Sequence, residues 1–142
     1  MKHWAHRLTQ SSRRQRAVKT ELLPLPKPIR DVLSLEYHLQ LEALRAGVGS
    51  LMALQSVMRV AIAAGMLSEL GYGKPSTGSL GHYEDAANSA FSSGREGRFR
   101  FDDEAFRLFA GLLTNHDAQL EAAPVKVIDG IAKRLERHCR AA

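Results

Sequence analysis

Leu51-Met-Ala-Leu-Gln-Ser-Val-Met-Arg-Val-Ala-Ile-Ala-Ala-Gly-Met-Leu-Ser-Glu-Leu70 decides the fold. Wound as a helix, this stretch is apolar nearly all round, which marks it as the central and most buried helix of an all-α domain. It is long enough to span a bilayer. Gln55, Arg59 and Glu69 argue against that, since a charge in mid-span costs about 2.5–3.5 kcal/mol even on the mild insertion scale. The reading is therefore a soluble core helix, with no membrane involvement. Ser50 suits its N-cap, and Gly71, Gly73 and Pro75 supply a stop signal.

Upstream, a first helix is expected from about Asp31, as N-cap, to about Ala46. Val32, Leu35, Leu39 and Ala43 form one of its faces, with Leu33, Tyr37, Leu41 and Leu44 beside them. Gly47 and Gly49 end it. Downstream, residues 71–82 hold five glycines or prolines and read as a loop. A shorter Ala-rich helix follows from about Tyr83 to Ser92, broken by Ser-Gly-Arg-Glu-Gly at 93–97. Arg98-Phe99-Arg100-Phe101 alternates like an extended piece, too short to form a sheet alone. Asp102 then offers a cap, with Asp103 and Glu104 in the first turn, where the helix dipole favours anions, and Phe101 and Phe106 at the staple positions. That helix is expected to end near Ala122. Pro124 suits the first position of a last helix, where Val127 or Ile128, Ile131 and Leu135 face inward. The sum is a bundle of four or five helices.

A chain of 142 residues, 44% hydrophobic and 25% charged, is one ordinary globular domain, large enough to build a core without disulfides or metal. The single cysteine, Cys139, fits a reducing, cytoplasmic setting. No apolar segment and cleavage pattern follow the basic N-terminus, so it does not read as a signal peptide.

The net charge of +5 is unevenly placed. Residues 1–30 carry eight Lys or Arg against Glu21 alone, whereas residues 31–142 carry twelve basic and fourteen acidic side chains. Residues 1–23 have no sustained apolar period and too little to bury to offset their ordering entropy. Leu23-Pro-Leu-Pro-Lys-Pro28 reads as a stiff polyproline-like linker. The expected organisation is a flexible basic arm and Pro-rich linker over 1–28, followed by a helical domain over 29–142. Lys2, Arg7, Arg13, Arg14, Arg16 and Lys19, with Trp4 among them, suit phosphate backbones, which reward such contacts through counterion release. Arms of this kind also bind acidic protein surfaces or anionic lipid.

Catalytic and metal motifs are scarce. Among His3, His6, His38, His82, His116 and His138 there is no Glu-x-x-His pair of the di-iron bundle type. His38 and Glu42 share a helix face without a matching pair elsewhere. No Gly-x-Ser-x-Gly or phosphate-loop spacing occurs, and no cofactor is called for. His116-Asp117 reads as a polar rim, or as an acid–base pair if both side chains turn into a pocket. Arg59, in mid-helix, is expected to snorkel from a narrow solvent stripe with Gln55, or to pair with Asp117 or Glu42, or to mark a partner surface.

Met58-Arg-Val-Ala-Ile-Ala-Ala-Gly-Met66 resembles the first helix and turn of the Fis-type DNA-binding unit. The expected second, groove-reading helix would be Leu67-Ser-Glu-Leu-Gly71, which is short, acidic and broken. The whole chain is similar to small helical proteobacterial proteins labelled Fis family regulators. The similarity rests on Leu33-Ser-Leu-x-x-His-Leu-x-Leu41, Arg45-Ala-Gly47, Leu70-Gly-Tyr-Gly73 and His116-Asp-Ala-Gln-Leu120. It implies regulation and carries no recognition residues over. Three functional classes follow. The first is a non-enzymatic accessory or regulatory protein, its arm on nucleic acid and its body on a protein partner or itself. The second is a pure protein-interaction module. The third is a helical enzyme or ligand binder with an interhelical pocket near Arg59 and His116.

Overall fold

The computed structural model describes residues 20–74 and 79–141. Among these, the fold is an all-α bundle of five helices: α1 (Lys27–Arg45), α2 (Leu51–Glu69), α3 (Leu80–Ser93), α4 (Asp103–Ala122) and α5 (Val125–Ala141). α2 packs against all four others, and α1 lies against α2 and α4. One core unites Tyr37, Leu41 and Leu44 of α1, Leu54 and Val57 of α2, Tyr83 and Ala90 of α3, and Phe109 and Leu113 of α4. A smaller cluster joins Leu67, Ala123 and Ile131. α2 alone is long and apolar enough to cross a membrane among the described residues. Seven of its residues, Ala53, Leu54, Val57, Val60, Ala61, Ala64 and Leu67, are buried in the bundle.

Local signals set the helix ends. Ser50 accepts from the Ala53 N–H at 3.1 Å and Asp102 from the Ala105 N–H at 2.7 Å, so both expected caps are in place. Behind Asp102, Phe101 is buried and stacks on Phe109, with centroids 4.8 Å apart. α1 begins earlier than expected. Pro26 is its N-cap, and the Pro26 carbonyl accepts from Ile29 and Arg30 at 3.0 and 3.1 Å. Pro28 is compatible with the first turn because a proline there lacks only an N–H that would go unbonded anyway. Asp31 is thus not a cap; it sits inside the helix, 2.7 Å from Lys27. The linker is also docked: the Val125 N–H donates to the Leu23 carbonyl at 2.8 Å, and Pro24 lies opposite Pro124. α3 starts three residues before the expected Tyr83, because His82 Nδ1 accepts from the Ser79 N–H and ties down the first turn.

α1 closes in a Schellman motif. Gly47 adopts φ +79°, while Gly47 and Val48 return their N–H groups to Leu44 and Ala43. The extended piece after α3 pairs not with a sheet but with Gly49, through two backbone bonds of 2.8 and 3.2 Å to Phe99. Met58–Met66 lies wholly within α2, which runs unbroken through Gly65. The turn of a helix-turn-helix is therefore not found there.

Candidate functional site

Two features of α1 stand out, one on each side of the helix. On the inner side, Ser34, Tyr37 and His38 converge on Asp117 of α4. Ser34 Oγ donates to Asp117 Oδ1 at 2.7 Å, the Tyr37 hydroxyl donates to the same oxygen, and His38 Nε2 lies 2.8 Å from Oδ2. Burial alone would raise the Asp117 pKa, but the hydrogen bonds from Tyr37, His38 and Ser34 outweigh it and hold the carboxyl below its usual 3.8. Tyr37 is pushed well above its ordinary value, first by burial and then by the neighbouring carboxylate.

One residue earlier, the side chain of His116 turns inward. It is 7% exposed, and its Nδ1 lies 2.9 Å from Gln119 Oε1. Gln119 is fully buried. Its Nε2 donates to the carbonyls of Ala64 and Tyr72 and to Ser68 Oγ at 3.0, 3.1 and 3.2 Å. Those three acceptors fix the amide orientation, so Oε1 must accept and His116 must carry its proton on Nδ1. Burial lowers the His116 pKa, which keeps the ring neutral. Asn115 completes the row by bonding both the N–H and the carbonyl of Lys74, at 2.8 and 3.0 Å. The α4 stretch Asn115–Gln119 therefore clamps α1, α2 and the segment after α2 with side-chain hydrogen bonds. The expected polar rim is in fact a buried seam at His116, and its partner Asp117 faces α1 rather than sharing a pocket with it.

On the outer side of α1 lies a second apolar stripe. Val32, Leu35 and Leu39 are 58, 60 and 58% exposed, and Ile29 flanks them. The face first picked out by spacing is thus the one left to solvent, while Tyr37, Leu41 and Leu44 are buried. Among the described residues α2 and α4 pack on α1, and they cover the stripe holding Tyr37, which gains the bond to Asp117. Val48, in the turn after α1, is exposed as well. Leu51 and Met52 follow it, both exposed.

No protein-family model, curated protein or solved structure matches the chain. The site must therefore be judged on its own geometry. Lys2, Arg7, Arg13, Arg14, Arg16 and Lys19 lie outside the described residues. Arg59 is exposed on the outer face of α2 with Met52 and Gln55. Its expected carboxylate partners are engaged elsewhere, Glu42 with Arg45 and Asp117 with α1. The structure therefore does not bring Arg59 and His116 together. Three concavities, of about 410, 170 and 350 Å³, are lined by neither residue. The 170 Å³ one touches Ser34 and Asp117, whose polar groups already bond one another. No group of three or more metal-ligating side chains occurs among the described residues.

Proposed function

We propose that this chain is a non-enzymatic accessory or regulatory protein whose helical body self-associates through the outer face of α1 and whose basic arm contacts nucleic acid without reading sequence. The observation that carries the reading is the second apolar stripe of α1. Ile29, Val32, Leu35 and Leu39 of one helix face are between 49 and 60% exposed, and a row of large exposed apolar side chains on one face marks an interaction surface. Leu35 lies midway along the stripe, so a two-fold axis there pairs Leu35 with its copy and Val32 with Leu39 of the second copy. A dimer also doubles the number of arms, and two weak electrostatic contacts on one duplex gain avidity. The likeness to Fis-labelled regulators favours the same class.

The test has two parts. Sedimentation equilibrium of the full chain is expected to give a dimer, and Leu35→Lys a folded monomer. Losing two leucines at the axis weakens association at least about 100-fold. A wild-type chain that stays monomeric at tens of micromolar would refute self-association. Anisotropy titration of a labelled random duplex across a salt series is expected to show affinity falling steeply with salt. An absence of binding even at low salt removes the nucleic-acid half of the proposal.

A further inference from the structure

The helical body is not evenly charged. α5 carries five Lys or Arg against Asp129 and Glu136, whereas residues 31–124 carry seven basic and twelve acidic side chains. A basic helix thus closes an otherwise acidic body. At 3.6 residues per turn, Lys126, Gly130, Lys133, Arg137 and Arg140 fall on one face of α5. All five are exposed. Val127, Ile128 and Ile131 fall on the opposite side, where they pack with Leu67 and Ala123. Among the described residues no carboxylate ion-pairs with Lys126, Lys133, Arg134 or Arg137, and Arg140 lies 4.0 Å from Glu136.

Helix chemistry alone does not favour this face. The helix dipole suits Arg140 in the last turn but opposes Lys126 in the first turn, where no acidic residue offsets it. Lys133 and Arg137, four apart, repel each other, as do Arg137 and Arg140, three apart. A face that carries these costs is complementary to an external row of negative charges. Gly130 leaves its middle without a side chain, and nothing lies within 4 Å of where one would begin. From Lys126 to Arg140 the helix rises about 21 Å. A duplex presents a negative charge about every 1.7 Å of its axis, so one duplex laid along the face sets phosphates against its whole length. α5 has no Phe, Tyr or Trp for a single-stranded base to stack on, and Val127, Ile128 and Ile131 are taken up in the bundle rather than left for a bilayer. Charge without an aromatic platform fits a duplex backbone. The chain that carries Lys2 to Lys19 also joins the body here, because the Leu23 carbonyl accepts from the Val125 N–H at 2.8 Å, beside Lys126.

We infer that the outer face of α5 binds the phosphate backbone of a nucleic-acid duplex, with Lys126, Lys133 and Arg137 as its main contacts and Arg140 at its end. The inference rests on the nucleic-acid reading above and adds to it a surface on the folded body, so that arm and body hold one duplex from adjoining points.

The experiment measures the salt dependence of binding to a labelled random duplex for the full chain and for full-length variants. Lys126→Gln/Lys133→Gln/Arg137→Gln is expected to flatten the log–log slope by about 2.7, at about 0.9 per lost phosphate contact. Lys126→Arg/Lys133→Arg/Arg137→Lys keeps the charge and is expected to keep the slope, which separates charge from packing. Asp129→Asn/Glu136→Gln removes the two carboxylates of α5 and is expected to tighten binding at low salt, a gain that fades as salt rises. Arg13→Gln/Arg14→Gln/Arg16→Gln reports on the arm separately, and thermal melts verify that each variant folds. A wild-type slope in the α5 glutamine variant, with a flattened slope in the arm variant, overturns this inference and leaves the arm reading intact. The reverse pattern upholds the α5 face and removes the arm. Failure of the wild-type chain to bind duplex at low salt overturns both. Polyglutamate serves as a second polyanion; if the α5 glutamine variant loses affinity for it but not for the duplex, the face serves an acidic protein and the inference falls.

Discussion

Replacing Gln119 by leucine tests the seam at its most buried point. The side chain is fully buried and its two amide hydrogens serve three acceptors, while its oxygen serves His116. Leucine fills similar space and offers none of these bonds. Ser68 Oγ keeps its bond to the Lys74 carbonyl, and the Ala64 carbonyl keeps its place in the helix ladder. Two groups are left orphaned, the Tyr72 carbonyl and the His116 N–H. At about 1–3 kcal/mol each, their desolvation costs about 2–6 kcal/mol. The greater apolarity of leucine offsets about 1–2 kcal/mol of that. The expected net loss is about 1–4 kcal/mol, or a Tm lower by about 3–15 °C for a chain of this size. Urea unfolding followed by circular dichroism measures it, with the midpoint expected to fall and the slope to hold. His116→Leu/Gln119→Leu provides the internal control. Removing donor and acceptor together leaves fewer orphans, so the double variant is expected to be less destabilised than the two single losses added. A loss under about 1 kcal/mol in Gln119→Leu, or strict additivity in the cycle, would show that the amide is not what joins α4 to α2.

The same seam sets an acid limit. Burial holds the His116 pKa below its ordinary 6.5, so as the pH falls below 6.5 the unfolded chain takes up a proton that the folded chain refuses. Stability is therefore full above about that pH and declines below it, by at most about 1.4 kcal/mol per pH unit. The His116→Leu/Gln119→Leu variant is expected to lose this decline, as urea midpoints across the pH range would show. Asp117→Ala removes the acceptor shared by Ser34, Tyr37 and His38, but the carboxylate is about one third exposed and water can replace it in part. A loss of about 1–2 kcal/mol is expected. The Tyr37 titration, followed by ultraviolet difference absorbance, is expected to move down towards 10.0 without reaching it, because burial is the larger cause of its rise.

Much of the fold was legible in local chemistry. The caps Ser50 and Asp102, the glycines after α1 and α2 and the unbroken apolarity of Leu51–Leu70 are short-range signals, and the helices follow them to within a few residues. Local rules place the start of α1 at Asp31 because proline reads as punctuation, although its geometry also suits a first turn. The candidate residues were less legible. His116 stands out in the sequence, but nothing in one chain's spacing shows that Gln119, three residues on, fixes its tautomer, or that Asp117 is engaged by three donors about eighty residues earlier. The turn from Arg95 to Arg98 reads in the sequence only as a break at 93–97, since the register that sets Arg95 against Arg98 depends on the positive φ angles of Glu96 and Gly97.

Sequence alone determined which segments are helical and that the basic charge gathers at the N-terminal end, because helix formation, capping and net charge are properties of neighbours along the chain. It also offered α1 two apolar stripes and gave no reason to prefer either. Tertiary structure decided between them. Among the described residues α2 and α4 pack on α1 and cover one stripe, and the bonds from Ser34, Tyr37 and His38 to Asp117 fix which one. Val32, Leu35 and Leu39 face solvent as a result, and that placement makes the outer face of α1 a surface available to a second copy.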